Sequence, residues 1–283
     1  MGKIYRLGIT GHPLGHTLSP VMHRCAAAHL GLELTYDPFD VTPAELPRFM
    51  EGLRSSGLDG LNVTVPHKLA VMAHMDETSE EAERIGAVNT IVIAQGRLAG
   101  RNTDAYGFLT SLRENGGIDP DGKKSLILGA GGAARAVAWA MLSAGAVVTI
   151  ANRTEDKARR IAADFAGVGA PISVIGLESE DIGAMVRESD IVINSTSLGM
   201  GGKDADGLRR AQSGLRKDQL AVDIVYRPLD TPFLAAAREA GAATLDGLWM
   251  LIHQGAQAFT LWTGRPFPVA LARMALEKEL GAG

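Results

Sequence analysis

The sequence is poor in several features, and each shortage removes a class of protein. Cys25 is the only cysteine in 283 residues, so no intrachain disulfide can form and nothing points to an oxidising compartment. Lys and Arg form no block anywhere, and a net charge of −4 argues against a polyanionic partner such as nucleic acid. No uninterrupted apolar run approaches the ~20 residues of a membrane span. The opening stretch MGKIYRLGIT lacks the apolar core of a secretory signal. From these absences the expectation is a cytoplasmic protein with neither nucleic-acid nor membrane partners, either monomer or homodimer. Internal repeats and low-complexity tracts are missing too. Six of the seven histidines fall within the first 74 residues, which raises the question of a metal. His12 and His16, however, flank Pro13 and Gly15 in a loop, and no HExxH or Cys/His spacing accompanies them, so no metal site is expected.

What is present is a globular composition, 46% hydrophobic and 21% charged, in a chain long enough for two modest domains or one large α/β domain. Strand-like and helix-like segments alternate over the first hundred residues. Lys3–Ile9 reads as a strand, and Ser19–Leu30 as a helix with Ser19 as N-cap and Pro20 at its first position. A short strand at Leu34–Tyr36, a helix at Thr42–Gly52 and a strand at Leu61–Val65 follow. His67–Met75 and Ser79–Ile85 look helical, and Asn89–Ala94 returns to strand. Such alternation suggests βαβ units and a largely parallel sheet. After Gly116 and Gly117 a second pattern of strands and helices begins, and from Leu245 onward the chain is helical with a break at Gly264–Pro268. Two α/β lobes are therefore expected, the second inserted between the first and a C-terminal helical piece that packs back onto it. The joints should lie near Asp104–Asn115 and Ala242–Leu248, giving domains 1–104 with 246–283, and 105–245.

GAGGAA, Gly129 to Ala134, matches G-x-G-x-x-G/A. The pattern is weak alone, but here it follows the apolar strand Ser125–Leu128 and opens a helix, where dinucleotide binding needs it. Gly129 permits the tight turn, Gly131 lets backbone approach a pyrophosphate at the helix N-terminus, and Ala134 lets helix and strand pack closely. About twenty residues on, an NAD site usually carries an Asp or Glu for the ribose 2′-hydroxyl. This chain has Asn152, Arg153 and Thr154 instead, with Lys157 one helical turn further. A guanidinium grips a 2′-phosphate that a carboxylate would repel, so NADP is favoured over NAD, although Glu155 and Asp156 dilute the local field.

The stretch GLNVTVPHK, Gly60 to Lys68, runs along an apolar strand and ends on a lysine. On residue type alone Lys68 is an ordinary surface amine. Beside a dinucleotide lobe, however, strand ends face the crevice where open α/β sheets bind ligands. GAVNT ends in Asn89 and Thr90, and GRNTDAYGF sets Asp104 at a helix start, where Asn102 or Thr103 could equally be the cap. An amine and a carboxylate close together can deliver the proton that hydride transfer to a ketone demands. Tyr106 is a rival donor, though packing in its helix is the plainer reading.

Taken together, these residues carry a resemblance to the shikimate dehydrogenase family over nearly the whole chain. GHPLGHTLSPVMH, NVTVPHK, GAVNT, NTDAYG, GAGGAARA, NRT, NSTSLGM, DIVYRPLDTPFL and GLWMLIHQGAQAFTLWTG follow in the family's order. The resemblance implies a substrate lobe and a Rossmann-like NADP lobe, and reversible reduction of 3-dehydroshikimate to shikimate. It implies Lys68 and Asp104 as the catalytic pair. Thr17 and Ser19 would hold the substrate carboxylate, while Asn62, Thr64, Lys68, Asn89, Asp104 and Gln254, with Tyr226 from the other lobe, would hold the rest of the ring. The cofactor would lie on Gly129, Ala130, Gly131, Gly132 and Ala133, on Asn152, Arg153, Thr154 and Lys157, on Thr196 and Ser197, and on Ile224, Gly247 and Met250. The chain departs from the family's usual pattern with Thr17 for serine, His67 for phenylalanine, Ala105 for glycine and Trp249 for a small residue. Quinate or an aminoshikimate therefore stays open as substrate, and a non-catalytic NADP-binding relative is the competing class.

Overall fold

The computed structural model describes residues 3–15, 17–196 and 206–281. By its internal contacts the chain divides into two units, Met1–Tyr106 with Ile252–Gly283, and Gly107–Leu251. Among the described residues each unit holds a six-stranded sheet, and no helix is long and apolar enough to cross a membrane.

In the first unit β1 (Ile4–Gly11) pairs in parallel with β2 (Glu33–Asp40) on one side and β3 (Gly60–Val63) on the other. β5 (Thr90–Ala94) then runs antiparallel to β3, and β6 (Arg97–Arg101) antiparallel to β5. The short β4 (Glu77–Thr78) completes the order β2-β1-β3-β5-β6-β4. Five of the six strands thus run the same way, as the alternation suggests, and β5 alone runs against them. Gln95 and Gly96 both have positive φ, 52° and 73°, a two-residue hairpin turn that folds β6 back along β5.

Several boundaries shift. Leu18, not Ser19, occupies the N-cap of α1 (Ser19–His29). α2 (Leu46–Leu53) starts later than expected; ahead of it the Glu45 carboxylate reaches back to Thr42, accepting from its N–H at 2.9 Å and its hydroxyl at 2.6 Å. β3 stops at Val63, and Thr64 to His67 form a turn closed by the His67 N–H on the Thr64 carbonyl at 2.9 Å. The segment expected to be helical after it is only a 3₁₀ turn, Ala70–His74. α3 (Glu80–Ile85) is capped by Ser79, whose hydroxyl accepts from the Ala82 N–H. α4 (Asp104–Glu114) and α10 (Gly247–Thr263) each run through a boundary between the units. The C-terminal part of α10 belongs with the first sheet: Phe259 is buried against Ala26 and Ala27, and the Trp262 indole N–H donates to the Ile91 carbonyl at 3.0 Å. α11 (Val269–Gly281) follows it into the same unit.

The second unit is parallel throughout. β7 (Lys124–Leu128), β8 (Val147–Asn152), β9 (Ser173–Gly176), β10 (Ile191–Asn194), β11 (Leu220–Asp223) and β12 (Ala243–Leu245) lie in the order β12-β11-β10-β7-β8-β9. Their near-continuous apolar runs fit burial on both faces, and Leu126, Ile127, Leu128, Ile191, Val192 and Ile193 are all fully buried. α5 (Gly132–Ser143), α6 (Glu155–Asp164), α7 (Ile182–Glu188), α8 (Asp206–Gln212) and α9 (Pro232–Glu239) make the connections. Two half-sheets thus diverge from β7 and β10, the doubly wound order whose switch point opens beyond the carboxyl ends of those two strands.

Candidate active site

In the first unit the side chains at the ends of β3, β5 and β6 converge. The Lys68 ammonium donates to Asp104 Oδ2 at 2.5 Å, with the two side chains only 14% and 8% exposed. The Val88 N–H on the Lys68 carbonyl at 2.8 Å ties the lysine's backbone to the segment that presents Asn89. Asp104 is aimed rather than consumed by its helix. Asn102 supplies the cap, accepting from the Asp104 N–H at 3.0 Å and the Ala105 N–H at 3.4 Å. The Asp104 carboxylate is therefore not the cap of its own helix.

Asn89 is the hub. Its Nδ2 donates to Asp104 Oδ1 at 2.8 Å, to Thr103 Oγ1 at 2.9 Å and toward Gln254 Oε1 at 3.4 Å, while its Oδ1 accepts from the Thr103 N–H at 2.7 Å. Asn62 donates to the Asn89 carbonyl at 3.2 Å and Thr90 Oγ1 at 3.1 Å. Both oxygens of Asp104 therefore have donors, and the carboxylate's burial is compensated. Thr17 and Ser19 meet each other at 3.4 Å. Thr64 is half-buried, its N–H on the Thr10 carbonyl at 2.8 Å.

Tyr36 is a member the sequence reading missed. It is fully buried, and its hydroxyl donates to Asn62 Oδ1 at 2.7 Å. Burial raises its pKa far above the usual phenol value, with Ser19 opposing the rise. The only signal was a tyrosine in a short strand, and a phenol's partner 26 residues away cannot be read from spacing. Thr103 was weighed only as a cap, yet it is buried in the same network. His67 is buried with its Nε2 on the Val41 carbonyl at 2.6 Å, so it anchors the turn that carries Lys68. Tyr106 is 45% exposed, not packed as its plainer reading held.

In the second unit Gly129 closes β7 with φ +112°, and a side chain there would meet Ser195 Oγ at 2.7 Å. A side chain at Gly131 or Gly132 would meet nothing within 4 Å, so the space over the turn is open. No side chain caps α5, which leaves its first N–H groups for an anion. Ala130 and Ala133 are half-buried beside it. After β8, Asn152 donates to the Thr154 carbonyl at 2.7 Å, and the Thr154 hydroxyl leaves α6 uncapped. Arg153 and Lys157 are exposed without an ion-pair partner among the described residues, whereas Glu155 is engaged by Arg159 at 2.6 Å. Thr196 follows β10, its N–H and hydroxyl both on Asn194 Oδ1 at 3.1 and 2.7 Å. Ser197 and His16 lie outside the described residues. Gly247 sits on the Ile224–Val225 backbone, where an added side chain would meet the Val225 carbonyl at 2.7 Å. Met250 is largely buried and Trp249 half-buried in the turn that follows. Burial raises the Tyr226 pKa, with Arg227 opposing, so its phenol stays a donor at neutral pH.

Comparison with known proteins covers nearly the whole chain. Family models match in succession: "Shikimate dehydrogenase substrate binding domain" over residues 9–91, "Shikimate / quinate 5-dehydrogenase" over 113–246 and "Shikimate 5'-dehydrogenase C-terminal domain" over 247–277. The shikimate dehydrogenase (NADP(+)) of Moorella thermoacetica is 46% identical, over 98% of this chain and 94% of its own. A crystal structure of a shikimate dehydrogenase in complex with NADP+ superposes with a TM-score of 0.89 at 36% identity, covering 98% of this chain and 96% of that one. The shikimate 5-dehydrogenase of Thermus thermophilus, solved with NADP(H) and shikimate, gives 0.84 at 40% identity, covering 97% and 99%.

Proposed function

The chain belongs to the shikimate dehydrogenase family, and from that premise we propose that it catalyses the reversible, NADP-dependent reduction of 3-dehydroshikimate to shikimate. The observation that carries the site assignment is the Lys68–Asp104 pair at 2.5 Å, sheltered from solvent and braced by Asn89. In this reading Met1–Tyr106 with Ile252–Gly283 is the substrate unit and Gly107–Leu251 the dinucleotide unit.

The residues fit the cofactor. Open space above Gly131 and Gly132, uncapped N–H groups on α5, an Arg153 with no ion-pair partner among the described residues and the start of α6 match a pyrophosphate and a 2′-phosphate respectively. Gly129, Ala130 and Ala133 complete the first of these sites, Asn152, Thr154 and Lys157 the second. Thr196, Ile224, Gly247 and Met250 are assigned to the nicotinamide end. The bound dinucleotide supplies the hydride.

Everything else falls to the chain. Thr17 and Ser19 offer hydroxyls to the substrate carboxylate. Asn62, Thr64, Asn89 and Gln254, with the Tyr226 phenol, offer donors and acceptors to a polyhydroxylated ring. When the ketone is reduced, Lys68 gives a proton to the alkoxide oxygen as negative charge develops there, and Asp104 holds the amine in line. In the oxidative direction the same amine takes the proton back.

Mixing the protein with shikimate and NADP+ should give NADPH, followed by absorbance. Lys68→Ala should lower kcat by about 10²- to 10⁴-fold while NADP+ binding is retained. Absent turnover with shikimate would overturn the activity, and an undiminished Lys68→Ala would overturn the role of the lysine.

A further inference from the structure

One buried carboxylate in the second unit is left unused by the reaction. Asp223 ends β11 fully buried, in register with Asn194 at the end of β10. Its Oδ2 accepts from Asn194 Nδ2 at 3.0 Å and from the Thr231 hydroxyl at 2.7 Å, and its Oδ1 accepts from the Val225 N–H at 2.9 Å. Thr231 in turn caps α9, accepting from the Leu234 N–H at 3.2 Å. Asp223 thereby grips three segments at once: the loop after β10, the loop after β11 and the start of α9.

The consequence lies in the amide of Asn194. An asparagine has two ends of nearly equal shape but opposite hydrogen-bonding sense. An ionised carboxylate can only accept, so Asn194 must turn its Nδ2 to Asp223 and its Oδ1 the other way. That Oδ1 is the acceptor for both the N–H and the hydroxyl of Thr196. Through Val225 the same carboxylate also fixes the backbone that carries Ile224, on which Gly247 rests. Both loops assigned to the nicotinamide end are thus set by one acid.

We propose that Asp223 is a positioning residue for the dinucleotide, acting through the enforced orientation of Asn194 and resting on the NADP-dependent reading above. It touches neither substrate nor cofactor. Burial pushes its pKa up, and its N–H, hydroxyl and amide donors oppose that rise; they stabilise the ionised form the orientation depends on.

The test exploits the asymmetry of the pair. Asp223→Asn presents an NH₂ or a single oxygen to three donors, so the Asn194 amide is released to flip and withdraw its acceptor from Thr196. The exchanged pair Asn194→Asp/Asp223→Asn restores the sense of the bond. The carboxylate moved to β10 accepts from the amide moved to β11 and from Thr196, and only the Thr231 proton is left unused. NADP+ affinity is read by calorimetry, and KM for shikimate and kcat by steady-state kinetics. Asp223→Asn should weaken NADP+ binding about 5- to 30-fold, the loss of one or two hydrogen bonds, and leave KM for shikimate within about twofold. The exchanged pair should recover at least half of that loss on a logarithmic scale. Asn194→Ala, which leaves Asp223 two of its donors, is run beside them as a variant that holds the fold. NADP+ affinity of Asn194→Ala within about twofold of wild type, or an exchanged pair that is folded yet binds no better than Asp223→Asn, overturns the proposal. Calorimetry keeps the two readings apart: wild-type protein that binds NADP+ without oxidising shikimate defeats the activity and leaves this test intact.

Discussion

His23 gives the most quantitative perturbation in the molecule. Its ring is fully buried, stacked 4.7 Å from Tyr36 at 13° and 6.0 Å from Phe259 at 11°, with Trp262 at 5.5 Å and Phe267 at 6.1 Å. Neither ring nitrogen has a hydrogen-bond partner among the described residues. Burial holds its pKa down to about 3 from 6.5, with Asn62 beside it opposing the fall. Below pH 6.5 the unfolded chain therefore takes up a proton that the folded chain refuses. Stability must drop as the pH is lowered, by about 1.4 kcal/mol per unit between 6.5 and 3. By pH 5 the loss is ~2 kcal/mol, and complete protonation would cost ~5 kcal/mol. A cation–π return of ~2 kcal/mol from the surrounding rings still leaves the folded pKa below pH 5, so the early part of the loss hardly changes.

His23→Phe keeps the stack and removes the titration. Asp40, paired with His12, Glu45, held by Thr42, and Asp76, held by Arg54, have lowered pKa values. They are common to both proteins and cancel in the difference. Urea unfolding is followed by fluorescence in a Trp139→Phe/Trp249→Phe background, where Trp262 alone reports on the first unit. Between about pH 7.5 and pH 5 wild type should lose ~2 kcal/mol relative to His23→Phe. Packing of the new ring offsets the two curves by a constant and leaves their divergence untouched. Curves that stay parallel over this window would falsify the claim that the ring is neutral in the fold.

Two further substitutions probe the separate units. Arg153→Ser should raise KM for NADP+ by about 10- to 100-fold, the worth of a charge-assisted phosphate contact, and leave KM for NAD+ nearly unchanged; equal effects on both cofactors would show that the guanidinium does not read the 2′-phosphate. Asn102→Ala should cost ~1 kcal/mol of stability as a lost cap, seen as a lower Tm, and should also lower kcat because the Asp104 backbone loses its anchor at 3.0 Å. Asn102→Asp keeps the acceptor but turns a buried carboxylate oxygen toward the Ala87 carbonyl, to which the Asn102 amide donates at 2.9 Å, so it should not recover the stability; a variant with lowered Tm but unchanged kcat would separate the cap from the placement of Asp104.

Some of this architecture is legible in the residues because the information is local. GAGGAA after SLIL demands a tight turn into a helix, and the turn forms with Gly129 at φ +112°. The parallel second sheet follows from apolar runs too continuous for an exposed face. Lys68 and Asp104 stand in motifs whose residue types suggest proton transfer, and the fold brings the two side chains to 2.5 Å. Boundaries were less legible: Leu18, not Ser19, stands at the N-cap of α1. The hairpin that joins β5 to β6 turns on a glutamine at φ 52°, a conformation its residue type does not advertise.

The residue types and their order along the chain determined which groups are present: an amine, a carboxylate, a glycine-rich turn at a helix start and a guanidinium after the next strand. Tertiary structure decided what each group does with its neighbours. Only the fold could make Asn102 the cap and free Asp104 for Lys68, join Tyr36 to Asn62, or bury His23 between four rings with no hydrogen-bond partner among the described residues. The reason is that a hydrogen bond or a desolvation penalty depends on distances between residues far apart in sequence. Those distances are set by how strands pair and helices pack, and no single segment contains them.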